Sequence, residues 1–148
     1  MQDVGDGEFH LFLSGGQRFL NGDTHLLSSI GYRVPVDSGV QSTSIHWSNH
    51  LDYRIAKKLY VFTEIAWWHF TDDAGVGLPG VGLPGVAGQD LFNLTASGIE
   101  GQNLVTQGVG VRLKPNSKTE IDIAYEFPLS NFDDIISSRL MIDMIYRF

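Results

Sequence analysis

The chain has 148 residues, a formal net charge of −7 and no cysteine. This length suits a single domain, residues 1–148, and the missing cysteines exclude disulfides, thiolate metal sites and a cysteine nucleophile. The acidic balance, without any basic cluster, argues against a nucleic-acid partner.

The hydropathy of the sequence argues against membrane-spanning helices but is compatible with a transmembrane β-barrel. No stretch approaches the roughly eighteen uncharged apolar residues that a membrane-spanning helix needs. A transmembrane β-barrel places its apolar residues at alternate positions, so it would show no such stretch. The segment Met1 to Gly7 is polar and acidic and does not resemble a secretory signal peptide. If the protein is exported, we therefore expect this sequence to be a mature or truncated form.

Seven segments alternate between apolar and polar residues with period two, which predicts β-strands. A tandem repeat, Val76 to Gly80 followed by Val81 to Gly85, lies between the fourth and fifth segments. Its glycines and prolines predict a long loop over residues 71–101, in which Leu91 to Ala96 form a short ordered piece. The seven segments are 8–19, 23–36, 44–55, 59–70, 104–114, 120–127 and 139–148.

The connections are predicted to alternate between short and long. Short ones fall at Asn21, Ala56 and Pro115, and Asn21-Gly22 suits a two-residue hairpin. Matching polar residues across the hairpins predicts the cross-strand pairs, although a shift of two residues would keep the faces and change the partners. The expected pairs are Arg18–His25, Arg54–Tyr60, His50–Glu64, Gly110–Asp122, Arg112–Glu120 and Glu126–Arg139.

The last segment alternates strictly and ends on an aromatic residue. Leu140, Ile142, Met144, Tyr146 and Phe148 share one face, and the opposite face is largely charged. This pattern resembles the C-terminal signal of bacterial outer-membrane β-barrel proteins. The resemblance implies an all-β, antiparallel up-and-down transmembrane β-barrel in the outer membrane, with seven or eight strands in this chain. It also implies contact with membrane lipid and, through the terminal strand, with the outer-membrane assembly machinery.

A further resemblance covers the C-terminal part of the chain. Residues 90–148 are similar to the end of transporter-like barrels related to those near aromatic-degradation pathways. The resemblance carries no substrate over to this chain.

The alternation alone does not separate a membrane barrel from a soluble one, because turning a barrel inside out leaves the pattern unchanged. Three features favour the membrane. Longer connections at Val36, Asp72 and Pro128 alternate with the short ones, and strands of ten or eleven residues tilted by ~40° span roughly 25 Å. The third feature is a set of apolar-face aromatic residues near the strand ends, as in the interfacial girdles of such barrels. These are Phe9, Phe19, Tyr32, Tyr53, Trp67, Tyr125, Phe127, Tyr146 and Phe148.

The strand count raises a question about closure. If the last strand ends in the periplasm, seven strands place the start of the first strand outside, whereas bacterial single-chain barrels normally have an even number. Three solutions are open. A strand upstream would make this chain the C-terminal part of a larger barrel. The first residues or Leu91 to Ala96 could supply an eighth strand, or the barrel could close between chains as a homo-oligomer.

The polar face carries the candidate functional residues. They predict either a conduit for passive transport of small solutes or a salt-bridged plug in a structural or adhesive barrel. A soluble, lipocalin-like ligand-binding barrel is the third possibility. The predicted lumen residues are His25, Arg33, His46, His50, Asp52, Arg54, Glu64, Arg112, Glu120, Asp122, Glu126, Arg139, Asp143 and Arg147.

Other chemistry is not indicated. His46 and His50 share a face, but four strand residues separate them by about 13 Å, too far to share one metal ion. The acidic cluster on the sixth segment could act as a general acid or base, yet no Ser, His and Asp set marks an outer rim, so we expect neither an enzyme nor a cofactor. Asp72-Asp73 and Asp133-Asp134 are loop carboxylates that either bind divalent cations or are simply solvated.

Overall fold

The chain forms one antiparallel sheet. The structure, a computed structural model, describes residues 7–39, 41–74, 98–131 and 137–148. The seven strands lie side by side in chain order, so each one pairs with the next in an up-and-down arrangement. They are β1 (Glu8–Phe19), β2 (Thr24–Pro35), β3 (Thr43–Ala56), β4 (Leu59–Asp72), β5 (Asn103–Leu113), β6 (Thr119–Pro128) and β7 (Arg139–Tyr146). The all-β, up-and-down prediction is confirmed. In the described ranges no helix is long and apolar enough to cross a membrane.

The connections define two ends of the sheet. Residues 20–23, 57–58 and 114–118 join strands at the short-turn end, where β7 also finishes. The last residues of β2, β4 and β6 and the first residues of β3, β5 and β7 meet at the opposite end, here called the long-loop end, where β1 also begins. In the sequence, residues 36–42, 73–102 and 129–138 connect these strand ends. The predicted alternation is confirmed.

The first turn differs from the prediction. A two-residue hairpin at Asn21-Gly22 is wrong, because Phe19 pairs with Thr24 and four residues form the connection. Its first three residues make a short 3-10 turn, with Leu20 and Asn21 at positive φ as well as Gly22. The steric cost of positive φ is low for glycine and moderate for asparagine. Leu20 adopts it because the four-residue turn closes on a hydrogen bond from Asp23 N to Leu20 O.

The register confirms the faces and corrects two pairs. Arg18–His25, Arg54–Tyr60, His50–Glu64 and Glu126–Arg139 are all cross-strand partners. The Arg112–Glu120 and Gly110–Asp122 pairs are wrong by two residues: Arg112 pairs with Asp122, and Gly110 with Ala124. The reason is the turn, where the Asn116 side chain accepts hydrogen bonds from the Lys118 and Thr119 backbone N–H groups and lengthens the connection.

The charged face of this sheet is more buried than its apolar face, which is the reverse of a water-soluble sheet. On the charged face, Asp52, Glu120 and Glu126 are only 5%, 8% and 8% exposed. On the apolar face, Leu13 and Ile142 are 75% and 71% exposed. A soluble sheet would bury its apolar face against a second layer and leave the charged face in water. Between its edge strands, this sheet therefore buries charged side chains and presents hydrophobic surface outward.

The edges are β1 and β7, each of which has one hydrogen-bonded neighbour in the part of the chain that the structure describes. Both strands run from the long-loop end to the short-turn end, so pairing them directly would require a parallel ladder. The sheet is not closed by the described strands, and the seven-strand count is confirmed for them. The expected eighth strand, whether from the first residues or from Leu91 to Ala96, falls in ranges outside the described residues.

Candidate functional site: the polar face and its cavity

One face of the sheet, here called the polar face, collects every predicted lumen residue. The register places thirteen of the fourteen side chains on it, and Arg147, just beyond β7, reaches it through its hydrogen bond to Glu120. It places every predicted interfacial aromatic within a strand on the opposite face. Arg33, His46, Asp52, Glu120 and Glu126 are buried, whereas Arg139, Asp143 and Arg147 on the edge strand β7 are exposed. Their roles in a lumen stay a prediction, but the structure brings most of them into two groups.

The first group is an ion-pair layer near the short-turn end, centred on Arg112. Its guanidinium donates to both oxygens of Asp122, at 2.8–3.0 Å. It also lies 3.5 Å from Asp52 and 3.8 Å from Glu120. A planar guanidinium suits this bidentate arrangement. One cation therefore offsets the charge of three carboxylates from β3 and β6.

Glu120 extends this layer to two further cations. Its Oε1 accepts a hydrogen bond from Arg147 at 2.6 Å, and Lys114 lies 3.3 Å away. Because Glu120 is 8% exposed, its charge depends on these partners rather than on water. The layer thus links β5, β6 and β7 at the end of the sheet where the terminal strand finishes.

Two histidine–carboxylate pairs continue the layer across β2, β3 and β4. His25 Nδ1 lies 2.6 Å from Asp52 Oδ1, and His50 Nδ1 lies 2.6 Å from Glu64 Oε1. His50 Nε2 is 3.6 Å from the second oxygen of Asp52. Charged and polar side chains of six strands, β2 to β7, therefore fill the polar face near the short turns.

A glycine makes room for this arrangement. Phe62 on β4 lies across Gly110 on β5, stacks on His50 at 5.2 Å and carries Arg112 at 5.6 Å from its ring centroid. A Cβ at position 110 would meet Phe62 Cζ at 2.3 Å and the Ile123 carbonyl oxygen at 2.6 Å. Even if the ring moved aside, the close contact with the Ile123 carbonyl oxygen would remain.

Gly110→Ala is therefore expected to lower the free energy of unfolding by about 1–3 kcal/mol through overpacking. The matched control is Gly15→Ala, because no atom lies within 4 Å of a Cβ at that position. That substitution should be neutral or slightly stabilising. Urea titrations of both variants in the same detergent would measure the difference, and equal effects would refute the steric account.

The second group lies toward the long-loop end and is largely aromatic. Trp68 stacks on His46 with ring centroids 4.8 Å apart, and the Arg33 guanidinium lies 5.7 Å from the centroid of Trp68. Beside Trp68, the side chains of Phe70, Ile99 and Leu104 form a fully buried apolar cluster. The polar face thus carries a buried apolar cluster at this end and a layer of ion pairs at the other.

Asp73 anchors the base of the long loop. Its two carboxylate oxygens accept hydrogen bonds from the backbone N–H groups of Gly98, Ile99 and Glu100, at 2.5–2.9 Å. The Asp73 carboxylate is therefore held by the backbone of residues 98–100, and cation binding by it stays a prediction. Asp72, expected in the loop, is the last residue of β4. Asp133 and Asp134 lie outside the described residues.

Between the two groups lies a cavity of about 830 Å³. Ser14 of β1 and Met141 of β7 both line it, together with residues of every strand between them. In a flat seven-stranded sheet, six spacings of about 4.8 Å would hold the edge strands roughly 29 Å apart. One cavity lined by residues of all seven strands indicates instead that the sheet curves around its polar face.

The cavity wall mixes paired charged groups with apolar surface. His50, Glu64, Glu126 and Arg139 line it, and Arg139 binds Glu126 with an Nε–Oε2 distance of 2.9 Å. Leu27, Met141, Ala66 and Trp68 supply the apolar part. Such a chamber can hold side chains, water or one small solute.

Sequence reasoning missed several residues of the polar face. Phe62, Trp68, Lys114 and the two glycines at positions 31 and 110 take part in its packing. Only the alternation of strand faces could have suggested them, since their partners follow from register and curvature. In the described segments, no cluster of three or more His, Cys, Asp or Glu side chains is arranged to hold a metal ion.

Comparison with known proteins gives one structural likeness. No family model matches the sequence, and no curated protein matches it. The chain is similar to the backbone structure of the outer membrane protein Ail of Yersinia pestis in a phospholipid bilayer nanodisc. The sequences are 16% identical, the TM-score is 0.45, and the match covers 99% of this chain and 88% of that one.

Proposed function

We propose that this protein is a transmembrane β-barrel of a bacterial outer membrane. The observation that carries the proposal is the exposed apolar face, because every strand presents hydrophobic side chains outward while charged groups such as Arg33, Asp52 and Glu126 are buried on the opposite face. Soluble monomers rarely expose a continuous apolar surface of this extent. A bilayer covers such a surface, and the paired backbone of the sheet satisfies its own polar groups there. A soluble lipocalin-like barrel would require the opposite burial.

Three further features support a membrane position. Phe19, Tyr53 and Tyr146 lie on the apolar face near the short-turn end, and Phe9 and Tyr32 lie near the long-loop end. Aromatic residues concentrate at both interfaces of outer-membrane barrels. Short connections at one end of the sheet alternate with long connections at the other, as in outer-membrane barrels. The terminal strand is the segment that an outer-membrane assembly machinery would engage. The proposed neighbours of the apolar face are thus lipids.

Within this barrel, we place the protein among those with a filled interior, as a structural or adhesive barrel without enzymatic activity. The ion-pair layer supports this role, because it fills the polar face near the short turns with partnered side chains. An interior of about eight strands is only wide enough for side chains or one small ligand. Any adhesive contact would then be made at the long-loop end.

A passive channel for small solutes is the second candidate. The cavity of about 830 Å³ favours it, since a solute could occupy this chamber on its way through. The two candidates differ in whether the ion-pair layer is a permanent plug or lines a path. Arg112 is the residue that separates them, because it lies at the centre of the layer.

Planar-bilayer recording of the wild type and Arg112→Glu tests both roles. After refolding into detergent micelles, a compact species should migrate faster unboiled than boiled, and it should require detergent to stay in solution. For a filled barrel, we expect no steady openings from the wild type and a loss of stability in Arg112→Glu without new ion selectivity. Steady wild-type openings whose selectivity shifts in Arg112→Glu would overturn the plug in favour of the channel. A monodisperse monomer in detergent-free buffer would refute the membrane proposal itself.

A further inference from the structure

Two histidines from strands that are not neighbours meet on the polar face near the long-loop end. His10 lies on β1 and His46 on β3, with β2 between them. Their Nε2 atoms are 3.3 Å apart, and the ring centroids are 4.7 Å apart. Nothing in the spacing of 36 residues indicates this approach; it follows from the registers of β1 on β2 and of β2 on β3.

Gly31 on β2 makes the approach possible. It pairs with Phe12 on one side and with His46 on the other. A Cβ at position 31 would lie 2.2 Å from His46 Cε1 and 2.6 Å from His46 Nε2, so the imidazole lies directly over the glycine. The ring of His46 also stacks on Trp68 at 4.8 Å, and that of His10 packs against Phe12 at 5.4 Å. Both rings are therefore held with their Nε2 atoms facing each other.

The two nitrogens form a long hydrogen bond, at 3.3 Å against a usual span of about 2.7–3.2 Å for N–H donors. The same separation suits two ligands of one metal ion. Two imidazole nitrogens that bind one Zn²⁺ at 2.0–2.1 Å, at the tetrahedral angle, lie about 3.3 Å from each other. The observed spacing of 3.3 Å equals this separation.

We propose that the imidazole nitrogens of His10 and His46 together bind one divalent first-row transition-metal ion, such as Cu²⁺, Ni²⁺ or Zn²⁺. Imidazole nitrogen is a preferred ligand of all three, and Cu²⁺ should bind most tightly. The charge of Arg33, which lies beside this group, is partly offset by Glu8 at 3.6 Å. Water completes the coordination, since the described residues add no third histidine or carboxylate to the pair.

A bound ion would join an edge strand to the body of the sheet. β1 is exposed along its whole length and is paired with β2 alone in the described structure. A ligand that binds only the folded state stabilises it by mass action. Metal binding should therefore protect β1 in particular, whether or not the barrel spans a membrane.

Titration calorimetry with Cu²⁺, Zn²⁺ and Ni²⁺ on the untagged full chain, refolded in micelles, tests the site. The chain has five histidines, so each can be replaced in turn. We expect one equivalent of Cu²⁺ to bind and to show hyperfine coupling to two nitrogens in its electron paramagnetic resonance spectrum. His10→Ala and His46→Ala should each abolish this binding over the same concentration range.

The matched control is His69→Ala, because His69 lies on the apolar face and contacts Asn103 rather than another histidine. It should leave the binding unchanged. His10 is exposed on the edge strand, so His10→Ala should still fold and decides the result if His46→Ala does not. The proposal is overturned if the wild type binds none of the three ions, or if binding persists in His10→Ala. Binding that is lost in His69→Ala would also overturn it.

Discussion

Val109→Arg should destabilise the folded protein by about 2–4 kcal/mol in lipid or detergent, because it places a charge at mid-depth on the face that we propose contacts lipid. Val109 lies near the middle of β5 on the apolar face and is 47% exposed. In water, such an exposed position would accept arginine at almost no cost. The large effect is therefore specific to a hydrocarbon environment and tests the orientation of the sheet directly.

Leu113→Arg is the matched control for this substitution. Leu113 lies on the same strand and the same face and is 43% exposed, but it is the last residue of β5, at the short-turn end. There, arginine reaches the interface, and the expected cost is about 0–1 kcal/mol. Urea titrations of both variants in the same micelles give the comparison. Equal, small effects at the two depths would contradict a membrane-spanning strand.

The second large effect is expected from Arg112→Ala, at roughly 3–5 kcal/mol. The guanidinium is hydrogen-bonded to Asp122 and lies within 4 Å of Asp52 and Glu120. Its removal leaves the enclosed Asp122 without its cation, while Asp52 keeps its contacts with His25 and His50, and Glu120 keeps Lys114 and Arg147. Unpartnered charges in a poorly hydrated interior carry a large desolvation cost. The free energy of unfolding at neutral pH would measure it.

Arg54→Ala is the matched control, because it removes the same type of side chain from an exposed ion pair. Arg54 pairs with Asp23 at the short-turn end, and the two side chains are 44% and 37% exposed. Pairs exposed to this degree contribute about 0–1 kcal/mol. If Arg112→Ala proved as mild as Arg54→Ala, the ion-pair layer would not hold the interior together.

The sequence alone determined the strands and the two faces. Period-two alternation assigns each side chain of a strand to one side irrespective of the partner strand, so seven strands and their faces were predictable from residues such as Leu140 and Asp143. The same argument assigned the predicted lumen residues to one face. It also anticipated four of six cross-strand pairs, among them Glu126–Arg139 across the long connection of residues 129–138.

The tertiary structure decided what alternation leaves open. Which face is enclosed depends on the sense of curvature, which no local pattern encodes, and only the burial of Asp52 and Glu120 shows it. Pairs across the Asn116 turn depended on side-chain hydrogen bonds within the turn. The approach of His10 to His46 required two successive registers and the space over Gly31. The position of one strand relative to a distant one depends on the register of every strand between them. Such contacts are therefore a property of the whole fold and not of any one segment.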